Sequence, residues 1–143
     1  QEGHSPERVT YQLMCEGKLP YDTASLDLLI LSQVIEHMPS PQAMLDEVRR
    51  VLKRGGHLLI STRNLDSAYG ELWRSVESRG QVPNQGPFTP CSAIEVSNWL
   101  AARFDIEEEI GIGTEATGDA SVLRDKSRFG CRLYAVRCRR DSS

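Results

Sequence analysis

The chain has 143 residues, of which 39% are apolar and 26% are charged, and its net charge at pH 7 is −3. This length accommodates at most one domain of ordinary size, and the composition is typical of a globular protein with a hydrophobic core. The charge balance argues against a nucleic-acid-binding protein, which would carry a basic surface. Because the sequence has no apolar run near the ~20 residues of a membrane span and no signal peptide at its start, it predicts a cytoplasmic protein.

The cysteines are widely scattered and form no C-x-x-C pair; they are Cys15, Cys91, Cys131 and Cys138. Zinc sites and disulfide frameworks are recognised by regular cysteine spacing. The sequence therefore predicts free thiols and no metal site.

Two strands are predicted near the start of the chain. Residues 9–14 alternate in polarity and include β-branched and aromatic side chains, which favours a short strand. Residues 28–31 form an unbroken apolar run. Such a run is typical of a strand covered on both faces, as in a parallel sheet.

A helix and a further strand follow. Ser40 can cap a helix whose first position is Pro41. Gly55-Gly56 predicts the helix end, and residues 57–62 predict a strand. A strand, a helix and a strand over this length indicate a βαβ crossover with two parallel neighbours. The apolar residues of the helix recur at helical spacing; they are Met44, Leu45, Val48, Val51 and Leu52.

Residues 68–76 predict a helix, although Gly70 has a low helix propensity and weakens this prediction. The Gly- and Pro-rich residues 80–90 predict a loop, which can be a substrate lid or a plain connection.

Ser92 and Glu95 have the spacing of a capping box and open a further helix. Residues 104–112 and 129–137 predict two strands that pair as an antiparallel hairpin, joined by a polar loop over residues 114–128.

Several motifs together resemble the class I S-adenosylmethionine-dependent methyltransferases, most closely the small-molecule branch that includes ubiquinone- and menaquinone-pathway enzymes. The family has an L-P-[FY] turn, a strand beginning F-D, an E-H pair, a helix ending L-K-P-G-G and a strand ending S-T-x-N. This chain has L-P-Y at residues 19–21, L-D at 26–27, E-H at 36–37, L-K-R-G-G at 52–56 and S-T-R-N at 61–64. It departs from the pattern with Leu26 for Phe and Arg54 for Pro.

The resemblance implies a Rossmann-like, doubly wound α/β sheet that is mostly parallel with a C-terminal antiparallel hairpin, and S-adenosyl-L-methionine as cofactor. The family's N-terminal D-x-G-x-G-x-G turn and ribose-binding acid have no counterpart in these residues, and the first residue is Gln1. We therefore expect an N-terminally truncated domain over residues 1–143. Its best-matching core is residues 9–64, a possible lid is 65–91, and the C-terminal helix and hairpin are 92–138.

The family strand order 3-2-1-4-5-7-6 implies that the strand at residues 28–31 lacks its neighbours. Three outcomes remain open: the chain is part of a longer enzyme, residues 9–14 pair directly beside residues 28–31, or a partner chain completes the sheet.

The resemblance also implies the cofactor contacts. Ser32, Gln33 and Val34 would touch the methionine part through backbone atoms. The segment Cys15-Glu16-Gly17 occupies the place of an acidic residue that contacts the adenine amino group, or is a solvated turn.

Glu36 and His37 form the only adjacent acid–imidazole pair of the sequence. Histidine can accept a proton near neutral pH and a carboxylate can orient it, so this pair is the candidate catalytic site. Alternatively, both residues satisfy backbone groups before the helix. The implied function is methyl transfer to an oxygen, nitrogen or carbon of a small-molecule acceptor; the alternative is a non-catalytic partner subunit that acts as an interaction module.

Overall fold

The computed structural model describes residues 10–15, 17–79, 89, 91–113, 122–124 and 131–141. Within them, the elements are β1 (Leu26–Ser32), a 3-10 turn (Ile35–His37), α1 (Pro41–Val51), β2 (Leu52–Arg63), α2 (Ala68–Ser78), α3 (Ala93–Ala101), β3 (Asp105–Ile112), β4 (Val122–Leu123) and β5 (Leu133–Arg139). The strands form one mixed sheet in the order β1-β2-β5-β3-β4. This α/β sheet confirms the predicted Rossmann-like fold class. It is not mostly parallel among the described residues, because only β1 and β2 are parallel and the other three strand pairs are antiparallel.

The predicted βαβ unit is present. β1 and β2 are parallel neighbours joined through α1. Leu29 and Leu31 of β1 and Leu58 of β2 are buried in one cluster with the apolar stripe of α1. This stripe is what the helical spacing predicted; its buried members are Met44, Leu45, Val48 and Val51.

The predicted end of α1 was wrong by one turn. Leu52 has an extended backbone with ψ 140° and already pairs with Leu26 as the first residue of β2. Leu26 pairs with Leu52 and Leu28 pairs with His57, so that residues 53–56 of β2 lie opposite the single residue Asp27 of β1. Gly55 lies in this bulge with φ 75°, a conformation that glycine adopts without steric cost. The two glycines therefore shape a bulge and do not end the helix.

The start of α1 agrees only in part with the prediction. Pro41 occupies the first turn as predicted, because its missing N–H is not needed there. Ser40 is the N-cap residue, but its side chain makes no capping hydrogen bond.

The C-terminal part forms the predicted antiparallel pair. The capping box at α3 is complete, since Ser92 Oγ accepts from Glu95 N–H and the Glu95 carboxylate accepts from Ser92 N–H. β3 and β5 are antiparallel neighbours, and β5 also pairs antiparallel with β2. β4 pairs with β3 inside the segment that was predicted to be only a loop, and β5 begins at Leu133.

The prediction of a strand at residues 9–14 was wrong for the part that the structure describes. Residues 10–14 have no strand conformation, and Tyr11 and Leu13 are 95% and 88% exposed. Alternation alone does not make a strand, because its hydrogen bonds need a second strand. Among the described residues β1 therefore pairs with β2 alone and keeps one open edge.

The two faces of the sheet differ. The face towards α1 and α3 holds the core, whereas Leu28 and Ile30 on the other face are 51% and 62% exposed. None of the helices in the described parts of the chain has the length and apolar character needed to cross a membrane.

Candidate functional site

The carboxyl ends of the parallel strands β1 and β2 meet at one edge of the sheet. Ser32 pairs with Ser61 there, and their Oγ atoms are 3.3 Å apart. Gln33 N–H donates to Ser61 O at 2.8 Å, so the turn after β1 is held against β2. Ligands of open α/β sheets bind beyond such carboxyl ends. This edge is the candidate site.

The turn at residues 32–34 is exposed at two of its three residues, as its predicted role requires. Gln33 has φ 52°, which few residues other than glycine adopt. Ser32 and Gln33 are exposed, and Val34 is half-buried. The backbone atoms expected to touch the methionine part of the cofactor therefore fit that role, which stays a prediction.

The carboxylate of Glu36 faces the core beneath this turn. Glu36 is fully buried, and its Oε2 accepts from Thr62 Oγ1 at 3.1 Å. Its Oε1 has no hydrogen-bond partner among the described residues. Thr62 lies next to Ser61 but points to the opposite face of the sheet. The carboxylate thus links the end of β1 to the end of β2.

Backbone contacts tie the E-H pair to the segment before α3. Thr89 N–H donates to Glu36 O at 2.6 Å, and Thr89 Oγ1 donates to Met38 O at 2.8 Å. His37 is half-buried at the end of the 3-10 turn, where its N–H donates to Val34 O. The structure therefore brings Glu36 and His37 to the same edge as residues 32–34. Of the predicted lid at residues 65–91, residues 80–88 and 90 lie outside the described residues, and α2 occupies its first half.

Cys91 is adjacent to this cluster. Its Sγ lies 3.9 Å from Thr62 Oγ1. Burial raises the pKa of the Cys91 thiol to about 11, and the nearby Glu36 and Glu95 carboxylates raise it further, whereas the hydrogen bond with Thr62 acts in the opposite direction. A thiol with this pKa is protonated at neutral pH and is not a nucleophile.

The turn predicted near the adenine is described only in part, because Glu16 lies outside the described residues. Cys15 is exposed, its carbonyl accepts from Lys18 N–H at 2.9 Å, and Gly17 has φ 74°. The next residue, Leu19, donates its N–H to Glu47 Oε1 at 2.9 Å. Glu47 lies towards the C-terminal end of α1, away from the carboxyl edge. The cofactor contact of Cys15, Glu16 and Gly17 stays a prediction.

The structure adds Asn64, to which the sequence assigned no role. Asn64 is fully buried, its Nδ2 donates to Cys131 O at 2.9 Å, and its Oδ1 accepts from Ala93 N–H at 3.0 Å. It therefore connects the end of β2 to the starts of α3 and β5. The S-T-R-N motif was the available signal.

Arg63 was also missed. Its guanidinium carbon lies 4.1 Å from the centre of the Trp73 ring, so a residue of β2 stacks on a residue of α2. Trp73 itself is half-buried.

The open face of the sheet carries a groove of about 370 Å³ next to the same edge, with Ile30, Ser32, Leu59, Ser61 and Ala135 among its lining residues. Farther from the edge the face becomes charged, since Glu107 lies 3.2 Å from Arg137 and 3.5 Å from His57.

Among the described residues no cluster of His, Cys, Asp and Glu has the arrangement of a metal site.

Comparison with known proteins supports a common origin. A family model described as a methyltransferase domain matches residues 1–60. The chain is 33% identical over 99 residues to a probable S-adenosylmethionine-dependent methyltransferase of Mycolicibacterium smegmatis, an alignment that covers 67% of this chain and 35% of that protein. It is 27% identical over 123 residues to the ubiquinone biosynthesis O-methyltransferase of Xanthomonas oryzae pv. oryzae, covering 80% of this chain and 50% of that protein.

A solved structure shares the fold. It is a SAM-dependent methyltransferase, possible histamine N-methyltransferase, from Thermotoga maritima, with a TM-score of 0.66 at 20% identity, covering 87% of this chain and 61% of that one. The chain spans half or less of the length of the two curated relatives, the Mycolicibacterium smegmatis and Xanthomonas oryzae proteins. Together, the matching family model, these relatives and the shared fold support a class I S-adenosylmethionine-dependent methyltransferase.

Proposed function

We propose that the protein transfers a methyl group from S-adenosyl-L-methionine to a small-molecule acceptor at the carboxyl edge of β1 and β2. The observation that carries the proposal is the turn at residues 32–34, which exposes Ser32 and Gln33 at the position where the family contacts the methionine part. When bound, the cofactor supplies an activated methyl group, so that alignment of the acceptor provides most of the rate.

The rest of the cofactor site must come from outside these residues. Among the described residues β1 keeps an open edge, and its side chains Leu28 and Ile30 are exposed. Such an edge favours pairing with another strand. A complementing segment that carries the glycine-rich turn would complete the cofactor site and pair with the open edge of β1. It can belong to the same polypeptide or to a partner chain.

We assign proton transfer to His37 and a positioning role to Glu36. His37 lies at the same edge and is half-buried, and because its Nδ1 is enclosed, an acceptor hydroxyl would approach Nε2. The Glu36 carboxylate binds Thr62 and holds the 3-10 turn against β2, which fixes the backbone from which His37 projects. The backbone carbonyl of Glu36 accepts a hydrogen bond from Thr89 N–H, which ties the same turn to the segment before α3.

Calorimetric titration with S-adenosylhomocysteine tests the cofactor assignment. We expect binding by the full-length protein that contains this chain, and at least about tenfold weaker binding by residues 1–143 alone. Equal binding by both would contradict the need for a complementing segment. No binding by the full-length protein would refute the proposed function.

Methyl transfer to 3,4-dihydroxybenzoate tests the role of His37. His37→Gln should lower kcat by about 10²-fold or more, the usual size of a general-base contribution, and leave S-adenosylhomocysteine binding unchanged. His57→Gln is the matched control, because His57 lies on the charged part of the open face, 3.5 Å from Glu107. An unchanged kcat for His37→Gln would show that His37 does not take part in proton transfer.

The open edge of β1 also favours a second candidate, a non-catalytic subunit that completes the sheet of a partner. Size-exclusion chromatography distinguishes the two. A partner module should form a stoichiometric complex with a chain that carries the glycine-rich half, whereas an enzyme that contains both halves should need no such chain.

A further inference from the structure

The backbone around His37 is held first by hydrogen bonds within its own 3-10 turn. His37 N–H donates to Val34 O at 2.9 Å. The following N–H, that of Met38, donates to Ile35 O at 3.2 Å. These bonds fix the N–H groups of the two peptide planes that flank residue 37. Because only two soft torsion angles lie between those planes, the planes set the direction in which the imidazole leaves the backbone.

Thr89 holds the same turn from outside. Its N–H donates to Glu36 O at 2.6 Å, and its Oγ1 donates to Met38 O at 2.8 Å. One residue thus binds the carbonyls of the residues immediately before and after His37, and we call this pair of hydrogen bonds the Thr89 clamp. A 3-10 turn of three residues closes few hydrogen bonds of its own and with poorer geometry than an α-helix. Contacts from outside therefore contribute a large part of its rigidity.

The imidazole of His37 has little room to compensate for a shift of this turn. His37 is half-buried, and its Nδ1 is enclosed. A proton acceptor must lie within hydrogen-bond reach of the proton it takes. Misplacement of a reacting group by about 1 Å can cost about 10²-fold in rate. The position of the backbone at residue 37 therefore bears directly on proton transfer.

We propose that Thr89 is a positioning residue, whose clamp keeps the imidazole of His37 in the orientation that accepts the proton. This inference rests on the proposed function and extends it to a residue that belongs to none of the family motifs. The hydroxyl carries the part of the role that depends on residue type, because every residue except proline would keep the N–H. The clamp also links the proton acceptor to the segment that leads into α3.

Nuclear magnetic resonance of the histidine imidazoles in the full-length protein tests the clamp without a substrate. Thr89→Val keeps the side-chain shape and the N–H but removes the hydroxyl. It should shift or broaden the imidazole signal of His37, which His37→Gln identifies, and leave the signal of His57 unchanged. Thr89→Ser restores a hydroxyl and should keep the wild-type signal. Thr89→Ala serves in place of Thr89→Val if the valine variant fails to fold. An unchanged His37 signal in the variant without the hydroxyl would overturn the proposal.

Methyl transfer to 3,4-dihydroxybenzoate measures the consequence for the reaction. Thr89→Val should lower kcat at least about tenfold and leave KM and the affinity for S-adenosylhomocysteine within about twofold of wild type. In a His37→Gln background the same substitution should change kcat by less than about twofold, because no imidazole is left to position. Equal losses in both backgrounds would overturn the proposal, since they would reveal a general structural effect.

Thr23→Val is the matched control for the loss of a threonine hydroxyl. Thr23 is exposed, and its Oγ1 accepts from Arg50 Nη1 at 3.2 Å, away from the turn that holds His37. This variant should keep the wild-type kcat and the wild-type imidazole signals. Failure of the wild type to bind S-adenosylhomocysteine would refute the proposed function, whereas the imidazole signals decide the clamp even without turnover.

Discussion

Replacement of Gly70 by alanine tests the packing of α2 against the end of β2. A Cβ built on Gly70 would lie 2.3 Å from Leu65 Cα, 2.7 Å from Leu65 C and 2.7 Å from Asn64 O. These are backbone atoms, which cannot rotate out of the way. Gly70 N–H also donates to Ser67 Oγ at 3.0 Å, which fixes the first turn of the helix at this approach.

Helix propensity and packing predict opposite signs for Gly70→Ala. Propensity alone predicts a gain of about 1 kcal/mol, because alanine is the better helix former. Overpacking typically costs about 1–3 kcal/mol, and a clash with fixed backbone atoms belongs at the upper end. The net expectation is a loss of about 2 kcal/mol in the free energy of unfolding.

Urea unfolding of the full-length protein, followed by tryptophan fluorescence, measures this free energy. Glu71→Ala is the control, because the exposed neighbour Glu71 should change stability by less than about 0.5 kcal/mol. A Gly70→Ala variant at least as stable as wild type would refute the close approach of α2 to residues 64 and 65.

Further predictions concern the core and the caps. Thr62→Val removes the described donor to Glu36 and should cost about 1–3 kcal/mol in urea unfolding, with a smaller cost in a Glu36→Gln background; equal costs in both would contradict a buried carboxylate that depends on Thr62. Ser92→Ala breaks the capping box of α3 and should cost about 1 kcal/mol, and an unchanged unfolding midpoint would argue against the cap. At about pH 8 a disulfide reagent should label Cys15 rapidly, because it is the exposed thiol, and the buried thiols only after unfolding. Since the pKa of Cys91 is raised from 9.0 to about 11, unfolding releases its proton more readily above pH 9, so stability should fall between pH 9 and about 11, and Cys91→Ala should flatten this fall.

Local patterns in the sequence predicted the elements that depend on neighbours along the chain. The apolar stripe of α1 and the capping box at Ser92 involve residues three or four positions apart, and both are present. The acidic run of β3 was predicted as a strand despite its charge. The structure gives the reason, because Arg137 and Arg139 on β5 lie opposite and pair with Glu107.

The predictions were wrong or incomplete where contacts between residues far apart in the sequence determine the structure. Leu52 continues the helical stripe in the sequence, but pairing with Leu26 draws it into β2. Residues 10–14 have the polarity of a strand and no described strand beside them. The contact between Thr62 and Glu36 joins residues 26 positions apart, for which no spacing rule exists. The stacking of Arg63 on Trp73 likewise depends on how α2 folds back over β2.

The hydrogen bonds around Asn64 have a consequence for the segment that follows β2. Leu65 N–H donates to Cys91 O at 3.3 Å, and Asn64 Oδ1 accepts from Ala93 N–H. These hydrogen bonds join the two ends of the segment that connects β2 to α3. The entropic cost of lengthening a closed loop grows only slowly with its length. Insertions between residues 79 and 89 should therefore have little effect on the sheet. This segment is the natural place to extend the chain without disturbing the packing of α2 or the contacts of Thr89.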